Sequence, residues 1–201
     1  MSNIFIILAG GINKRLKSKT PKPYIKINNK ELIQYSIEAA SAVKNINRIV
    51  IVYNIKHQKY LKDKKFNKYL KVKGGKTRAE SSYNALKKIK KYKCKNILIH
   101  DAARANISNK LIEKIIKALE KNNTAIPALQ INDSIKKKIK KNISNVDRNN
   151  LYQIQTPQGF KFKEILKLNE RSFDPTITDD ASLYINKNKK INLINGDINN
   201  I

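Results

Sequence analysis

The sequence predicts an α/β fold, a largely parallel sheet with helices on both faces. Two observations carry this. Short apolar runs alternate with longer stretches whose apolar positions recur at helical spacing. The chemistry-bearing residues (glycines, an aspartate and cations) follow directly on those runs, and ligands of parallel sheets bind beyond the carboxyl ends of the strands. A length of 201 residues suffices for one sizeable core, so a single domain over 1–201 is expected.

Residues 4–8 are wholly apolar and read as a buried strand. Residues 31–43 place Leu32, Tyr35, Ser36, Ala39 and Ala40 on one face and read as a helix. A second strand is expected at 48–53, a short helix at 57–66, and a short strand at 70–72 that ends at Gly74-Gly75. Residues 77–89 read as a helix with Thr77 as N-cap and Glu80 three positions on, the spacing of a capping box. A buried strand at 96–100 precedes a helix at 108–120, capped by Ser108 and turning Leu111, Ile112, Ile115, Ile116 and Leu119 inward. Residues 124–129 read as a strand. The rhythm then breaks: 134–139 and 143–146 read as two strands of a polar hairpin joined near 140–142. Such an arm, about 132–150, is poor core material and serves to reach a partner subunit or to act as a flap. Thr178-Asp179-Asp180-Ala181-Ser182 reads as a helix N-terminus with favourable acids.

Composition narrows the function. The formal charge of +28, from 43 Lys+Arg against 15 Asp+Glu, invites a polyanionic partner. The lysines are spread along the chain among asparagines and isoleucines, a bias that AT-rich coding produces by itself, and no nucleic-acid motif of fixed spacing occurs. The expectation is a solvated basic surface that gathers small anions, without a nucleic-acid partner. One cysteine, Cys94, excludes an internal disulfide, reads as structural, and fits a reducing cytoplasm. No apolar run approaches membrane-spanning length and no signal peptide is evident, so a cytoplasmic protein is expected.

The opening strand empties into Ala9-Gly10-Gly11-Ile12-Asn13-Lys14-Arg15-Leu16, followed by Pro21-Lys22-Pro23. Small residues let the backbone approach a ligand, its N–H groups can cradle phosphate oxygens, and Arg15 and Lys22 supply charge there. The pattern is neither a P-loop nor a dinucleotide fingerprint. The stretch from Gly74 to Ser82 reads by itself first as an ordinary turn with a capped helix, and second as helix-start N–H groups offered to an anion or to the edge of a base. Asp101, in Asp101-Ala102-Ala103-Arg104, is placed either to hold Mg²⁺ or to cap the next turn. Arg148 is either a phosphate clamp or a surface arginine paired with Asp147. His57 reads as a surface residue and His100 as structural; no nucleophile elbow or zinc cluster occurs.

Taken in order, LAGGINKRL with TPKPY, GGKTRAES, HDAAR, the DS of INDSIK, VDRNNLYQIQTPQGF, TDDAS and GDINNI run nearly the whole chain. With these motifs the chain resembles the 2-C-methyl-D-erythritol 4-phosphate cytidylyltransferases of the non-mevalonate isoprenoid route. The resemblance implies a three-layer α/β/α nucleotidyltransferase fold, glycosyltransferase-A-like, with a protruding β-arm. It implies transfer of CMP from CTP to methylerythritol phosphate with Mg²⁺, giving CDP-methylerythritol and pyrophosphate. Arg15 and Lys22 would stabilise the pentavalent α-phosphorus. Ala9, Gly10, Gly11, Gly75 and Ser81 would bind the cytidine part of CTP, and Asp101 the ribose, triphosphate and metal. Ser134 and Arg148 would bind methylerythritol phosphate beside Thr156, and the arm would cross to the second subunit of a homodimer. Residue chemistry agrees. A phosphate monoester is mostly dianionic near neutral pH, its second pKa being about 6, so it needs no general base to attack phosphorus.

Departures from the family pattern are Asn13 for a glycine, Ser134 for a threonine and Ala105 for a proline. The family also continues past a segment like GDINNI with a lysine and a final helix, so a truncated chain is expected, or the first part of one fused to a cyclodiphosphate synthase. Two other readings stand beside this one. A cytidylyltransferase for another polyol phosphate, such as ribitol 5-phosphate, would differ only around Ser134, Arg148 and Thr156. A non-catalytic basic binding protein would show steeply salt-dependent nucleic-acid binding.

Overall fold

The computed structural model describes residues 2–11, 18, 20–170 and 177–200. Strand β1 (Asn3–Ala9) is followed by a small hairpin, β2 (Lys26–Ile27) and β3 (Lys30–Glu31), then helix α1 (Leu32–Ser41) and β4 (Ile46–Tyr53). Next come β5 (Leu70–Lys73), α2 (Arg78–Ile89), β6 (Asn96–Asp101), α3 (Asn109–Lys121) and β7 (Thr124–Gln130). The arm is β8 (Ile135–Ile139) and β9 (Asn142–Val146). The chain closes with β10 (Tyr152–Ile154), β11 (Gln158–Lys161), α4 (Phe162–Asn169), α5 (Ser182–Ile185) and β12 (Leu193–Asn195).

Among the described residues the main sheet has eight strands in the order β10-β7-β11-β6-β1-β4-β5, with β12 paired to β7. β5, β4, β1 and β6 run parallel, and β12 runs parallel to β7. β11 is inserted antiparallel between β6 and β7. Residues 152–161 follow β7 antiparallel, and the register slips by two between Ile154↔Ala128 and Gly159↔Ala125, across the cis Thr156–Pro157 bond. Successive strand residues point to opposite faces, and the two cores follow that period. Phe5, Ile7 and Ala9 pack with α1 and α3, whereas Ile4 and Ile6 pack with α2, α4 and α5. The result is the expected three-layer arrangement.

The predicted helix at 57–66 is instead two 3₁₀ segments, Ile55–Leu61 and Lys64–Phe66. The side chains of Asn54 and Asp63 accept from the Lys56 and Lys65 N–H groups, both at 3.0 Å, and so start a new turn twice. Asn28 and Asn29, at φ 51° and 61°, form the tight turn between β2 and β3. The arm lies where the sequence placed it, and Lys140, φ 53°, opens its two-residue turn. Both of its faces are exposed, save the half-buried Ile135 and Val146 at its base.

Candidate active site

β1, β4, β5 and β6 end on one edge of the sheet, and the loops there meet around one serine. Ser81 Oγ accepts from the Gly75 N–H at 3.1 Å and donates to the Thr77 carbonyl at 2.8 Å. Thr77 caps α2 through the Glu80 N–H at 3.0 Å, while Glu80 accepts from the Lys76 N–H at 2.6 Å. The neighbours that crowd here explain the small residues. A Cβ on Gly74 would lie 3.0 Å from Ser81 Oγ, and one on Gly75 would lie 2.5 Å from Glu80 Cβ. A Cβ on Gly10 would sit 3.9 Å from Ser81 Oγ, so the β1 loop and the β5 loop face each other. Among the described residues nothing lies within 4 Å of a Cβ placed on Gly11. None of the described glycines has positive φ, so close approach, not backbone handedness, is what they serve. These bonds meet the capped-turn reading of the stretch: the Gly75, Lys76 and Glu80 N–H groups are taken by the side chains of Ser81, Glu80 and Thr77.

Asp101 ends β6, opposite Leu8 of β1. Its carboxylate takes one long bond, from Arg78 Nε at 3.3 Å, and its side chain is 38% exposed. The turn beyond it is closed by the Asp101 main-chain carbonyl, which accepts from the Arg104 N–H at 3.0 Å, so the carboxylate is not the cap. Arg78 Nη1 reaches Asp180 at 2.6 Å, and Asp180 is buried. Burial works against the Arg78 charge, but the carboxylates of Asp180 and Asp101 outweigh it and raise the guanidinium pKa beyond its usual range. In the TDDAS segment the Asp179 carboxylate accepts from the N–H of Ser182, the first residue of α5, at 3.0 Å. Gln158 Oε1 accepts from the Asp180 and Ala181 N–H groups, both at 3.1 Å.

Behind Asp101 lies a buried chain of polar groups. The Asp101 N–H donates to Thr156 Oγ1 at 3.2 Å, and that hydroxyl lies 3.1 Å from His100 Nδ1. His100 Nε2 lies 3.1 Å from the Arg104 carbonyl and 3.2 Å from Ser36 Oγ of α1. Burial pushes the His100 pKa down to about 4, so the ring is neutral near pH 7. The segment after β12 seals this chain: Asn200 Nδ2 donates to the Thr156 carbonyl at 2.7 Å, and the Asn200 carbonyl accepts from Arg104 Nη1 and Gln155 Nε2, both at 3.1 Å. Thr156, expected beside a substrate pocket, is buried with its hydroxyl committed to these two partners.

The remaining sequence candidates fall as follows. Arg15 lies outside the described residues. Lys22 is exposed on a short 3₁₀ turn between buried Pro21 and Pro23. Tyr24 anchors that turn by stacking on Tyr60 at 4.8 Å, and burial beside Tyr53 and Tyr60 raises its pKa well above the ordinary phenol value. Ala9 is fully buried beneath the loop. Ser134 and Arg148 flank the base of the arm, both exposed, and Arg148 donates to the Asn132 carbonyl. Among the described residues the alternative pairing with Asp147 is not made; Asp147 accepts from the Asn149 N–H at 3.0 Å. Among the described residues, neither Ser134 nor Arg148 bonds to the glycine cradle or to Asp101. His57, read as a surface residue, is half-buried against Tyr24. Sequence reasoning missed Arg78, Asp180, Gln158 and Asn200; the one available signal was an arginine at the first position of a helix opposite an Asp-Asp pair.

Metal chemistry is limited by the donors present. Among the described residues no group of three or more His, Cys, Asp or Glu side chains could hold a metal. Asp101 offers a half-open carboxylate, which suits Mg²⁺, an ion usually bound through one or two carboxylates plus substrate phosphates and water.

Comparison with known proteins gives the family and the fold. The family model for 2-C-methyl-D-erythritol 4-phosphate cytidylyltransferase matches residues 3–201. The chain is similar to the bifunctional enzyme IspD/IspF of Pelagibacter ubique, with 46% identity over 200 residues, covering 100% of this chain and 54% of that protein. It is also 36% identical over 209 residues to the 2-C-methyl-D-erythritol 4-phosphate cytidylyltransferase of Clostridium perfringens, covering 98% of this chain and 91% of the relative. Among solved structures, the 4-diphosphocytidyl-2C-methyl-D-erythritol synthase of Anaerococcus prevotii superposes with TM-score 0.84 at 29% identity, covering 99% of this chain and 88% of that one. The bifunctional IspDF of Campylobacter jejuni superposes with TM-score 0.83 at 28% identity, covering 100% of this chain and 51% of that one. The chain thus spans about half the length of the bifunctional relatives. No described helix is long and apolar enough to cross a membrane.

Proposed function

The chain belongs to the 2-C-methyl-D-erythritol 4-phosphate cytidylyltransferase family, and we propose that it transfers CMP from CTP to 2-C-methyl-D-erythritol 4-phosphate in isoprenoid precursor synthesis. The observation that carries this reading is the meeting of the Gly10 and Gly75 loops at Ser81 on the sheet edge where Asp101 ends β6. Cytidine lies against Gly10, Gly11, Gly75 and Ser81, with buried Ala9 supporting the loop from beneath. Backbone N–H groups of the loop after β1 cradle the triphosphate beside Gly11.

A dianionic phosphate oxygen of the substrate attacks the α-phosphorus of CTP. The new O–P bond forms as the bond to the bridging oxygen breaks, and pyrophosphate leaves with that electron pair. Arg15 and Lys22 hold the negative charge that gathers on the α-phosphate oxygens. Asp101 is the residue that would hold Mg²⁺, whose contribution is to draw charge from the phosphate oxygens. Ser134 and Arg148 orient the substrate phosphate; among the described residues neither bonds to the cradle, which fits delivery by the arm of a second copy in a cytoplasmic homodimer. A cyclodiphosphate synthase, joined in the bifunctional relatives, is the natural physical partner.

The test is pyrophosphate release from CTP and Mg²⁺ with and without methylerythritol phosphate, beside ribitol 5-phosphate. Release that requires methylerythritol phosphate is expected. Release that requires ribitol 5-phosphate instead would replace the substrate, and CTP-independent, salt-sensitive nucleic-acid binding without release would replace the enzyme.

A further inference from the structure

The Thr156 hydroxyl stands between groups whose hydrogen-bonding direction is set by their chemistry. The Asp101 amide can only donate, and it reaches Thr156 Oγ1 at 3.2 Å. At the far end of the chain the Arg104 carbonyl can only accept, and it lies 3.1 Å from His100 Nε2. Nε2 therefore carries the ring proton, and Ser36 Oγ shares it at 3.2 Å. With the ring proton on Nε2, Nδ1 is an acceptor, and among the described residues the hydrogen it receives at 3.1 Å is that of the Thr156 hydroxyl. With its proton sent to His100, Thr156 turns a lone pair to the Asp101 amide. The bonds run one way, from Asp101 through Thr156 to His100 and on to Arg104. Asn200 holds the Thr156 carbonyl from the other side.

We propose that His100 and Thr156 are positioning residues for the transfer proposed above: they fix the main chain at Asp101 and thereby aim its carboxylate at the metal and triphosphate. This rests on that function. Asp101 is the last residue of β6, where the ladder to β1 stops, and its exposed side chain has one long bond to Arg78. The direction of the carboxylate thus depends on what holds its backbone.

The test uses the whole chain. Nitrogen-15 NMR of the wild type is expected to show His100 protonated at Nε2 and bare at Nδ1. Thr156→Val keeps the shape and removes the hydroxyl. It is expected to speed exchange of the Asp101 amide and to raise the Mg²⁺·CTP concentration for half-maximal rate about 10- to 100-fold, the usual cost of losing a supporting partner of a metal-binding group. Thr156→Ser is expected to restore both. An Nδ1-protonated ring in the wild type, or unchanged Asp101 exchange in Thr156→Val, would overturn the proposal. So would a change confined to KM for methylerythritol phosphate, which would make Thr156 a substrate contact. If the wild type transfers no CMP, the function fails while the ring and amide signals still decide this point.

Discussion

Arg78 joins three stretches that lie far apart in the chain: it begins α2, bonds the end of β6, and pairs with Asp180. Its removal strands a carboxylate that is 1% exposed, and breaking a buried pair from one side costs about 3–5 kcal/mol. Arg78→Met is expected to lose that much in urea unfolding, and Arg78→Lys to recover only part of it, because an ammonium cannot serve both carboxylates with a planar fork. An Arg78→Met protein as stable as wild type would show that Asp180 finds another partner. Lys22 answers to a different measurement. Lys22→Ala is expected to keep the fold, since the side chain is exposed, and to lower kcat by about 10²–10³ or more. Near-normal turnover would remove Lys22 from the mechanism. At this scale Gly10 and Asp101 were legible because each closes a strand-like apolar run, and Gly75 because it ends a short strand as half of a glycine pair, whereas Ser81, inside α2, was marked only by the family resemblance. Arg78 and Asp180 were not, since no local pattern signals a pairing across 102 positions.

The arm is the element whose sequence most plainly declares its use. Its ten strand residues hold five lysines or asparagines in the two runs IKKKI and NISNV that no core could take, and among the described residues no helix covers either face. Isolated two-stranded hairpins are marginal in water, and Ile139 and Ile143 are 55% and 67% exposed. Replacing 136–145 by a two-residue turn is expected to leave unfolding stability within about 0.5 kcal/mol, since surface changes away from packed features fall in that range. The same variant is expected to sediment as a monomer and to lose transfer activity. A dimer that survives the deletion would move the interface elsewhere. The hairpin, α1, α2 and α3 were readable from periodicity and caps, whereas β10, β11 and β12 were not. These three strands are short, and β11 is a strand because β6 and β7 stand on either side of it.

At the scale of the whole molecule, stability is tied to one buried ring. The folded pKa of His100, about 4, lies below its ordinary value of 6.5. The unfolded chain therefore binds the proton first as pH falls, and stability declines between pH 6.5 and 4 by up to about 1.4 kcal/mol per pH unit from this group. Above pH 6.5 the group contributes no slope. Urea midpoints at pH 5 and 7 are expected to differ more in the wild type than in His100→Gln; equal differences would show that the ring titrates alike in both states. The sequence by itself determined the α/β class, the strands that build the sheet's parallel half, and the glycine and aspartate positions at its edge. Those features are local: an apolar run followed by a small or acidic residue means the same thing wherever it folds. Only the tertiary structure decided that β11 enters antiparallel between β6 and β7, that Asn200 closes over Thr156, and that Arg78 binds two carboxylates. Those outcomes depend on which polar groups are buried together, because a group cut off from water must find its partner in whatever the fold brings near it.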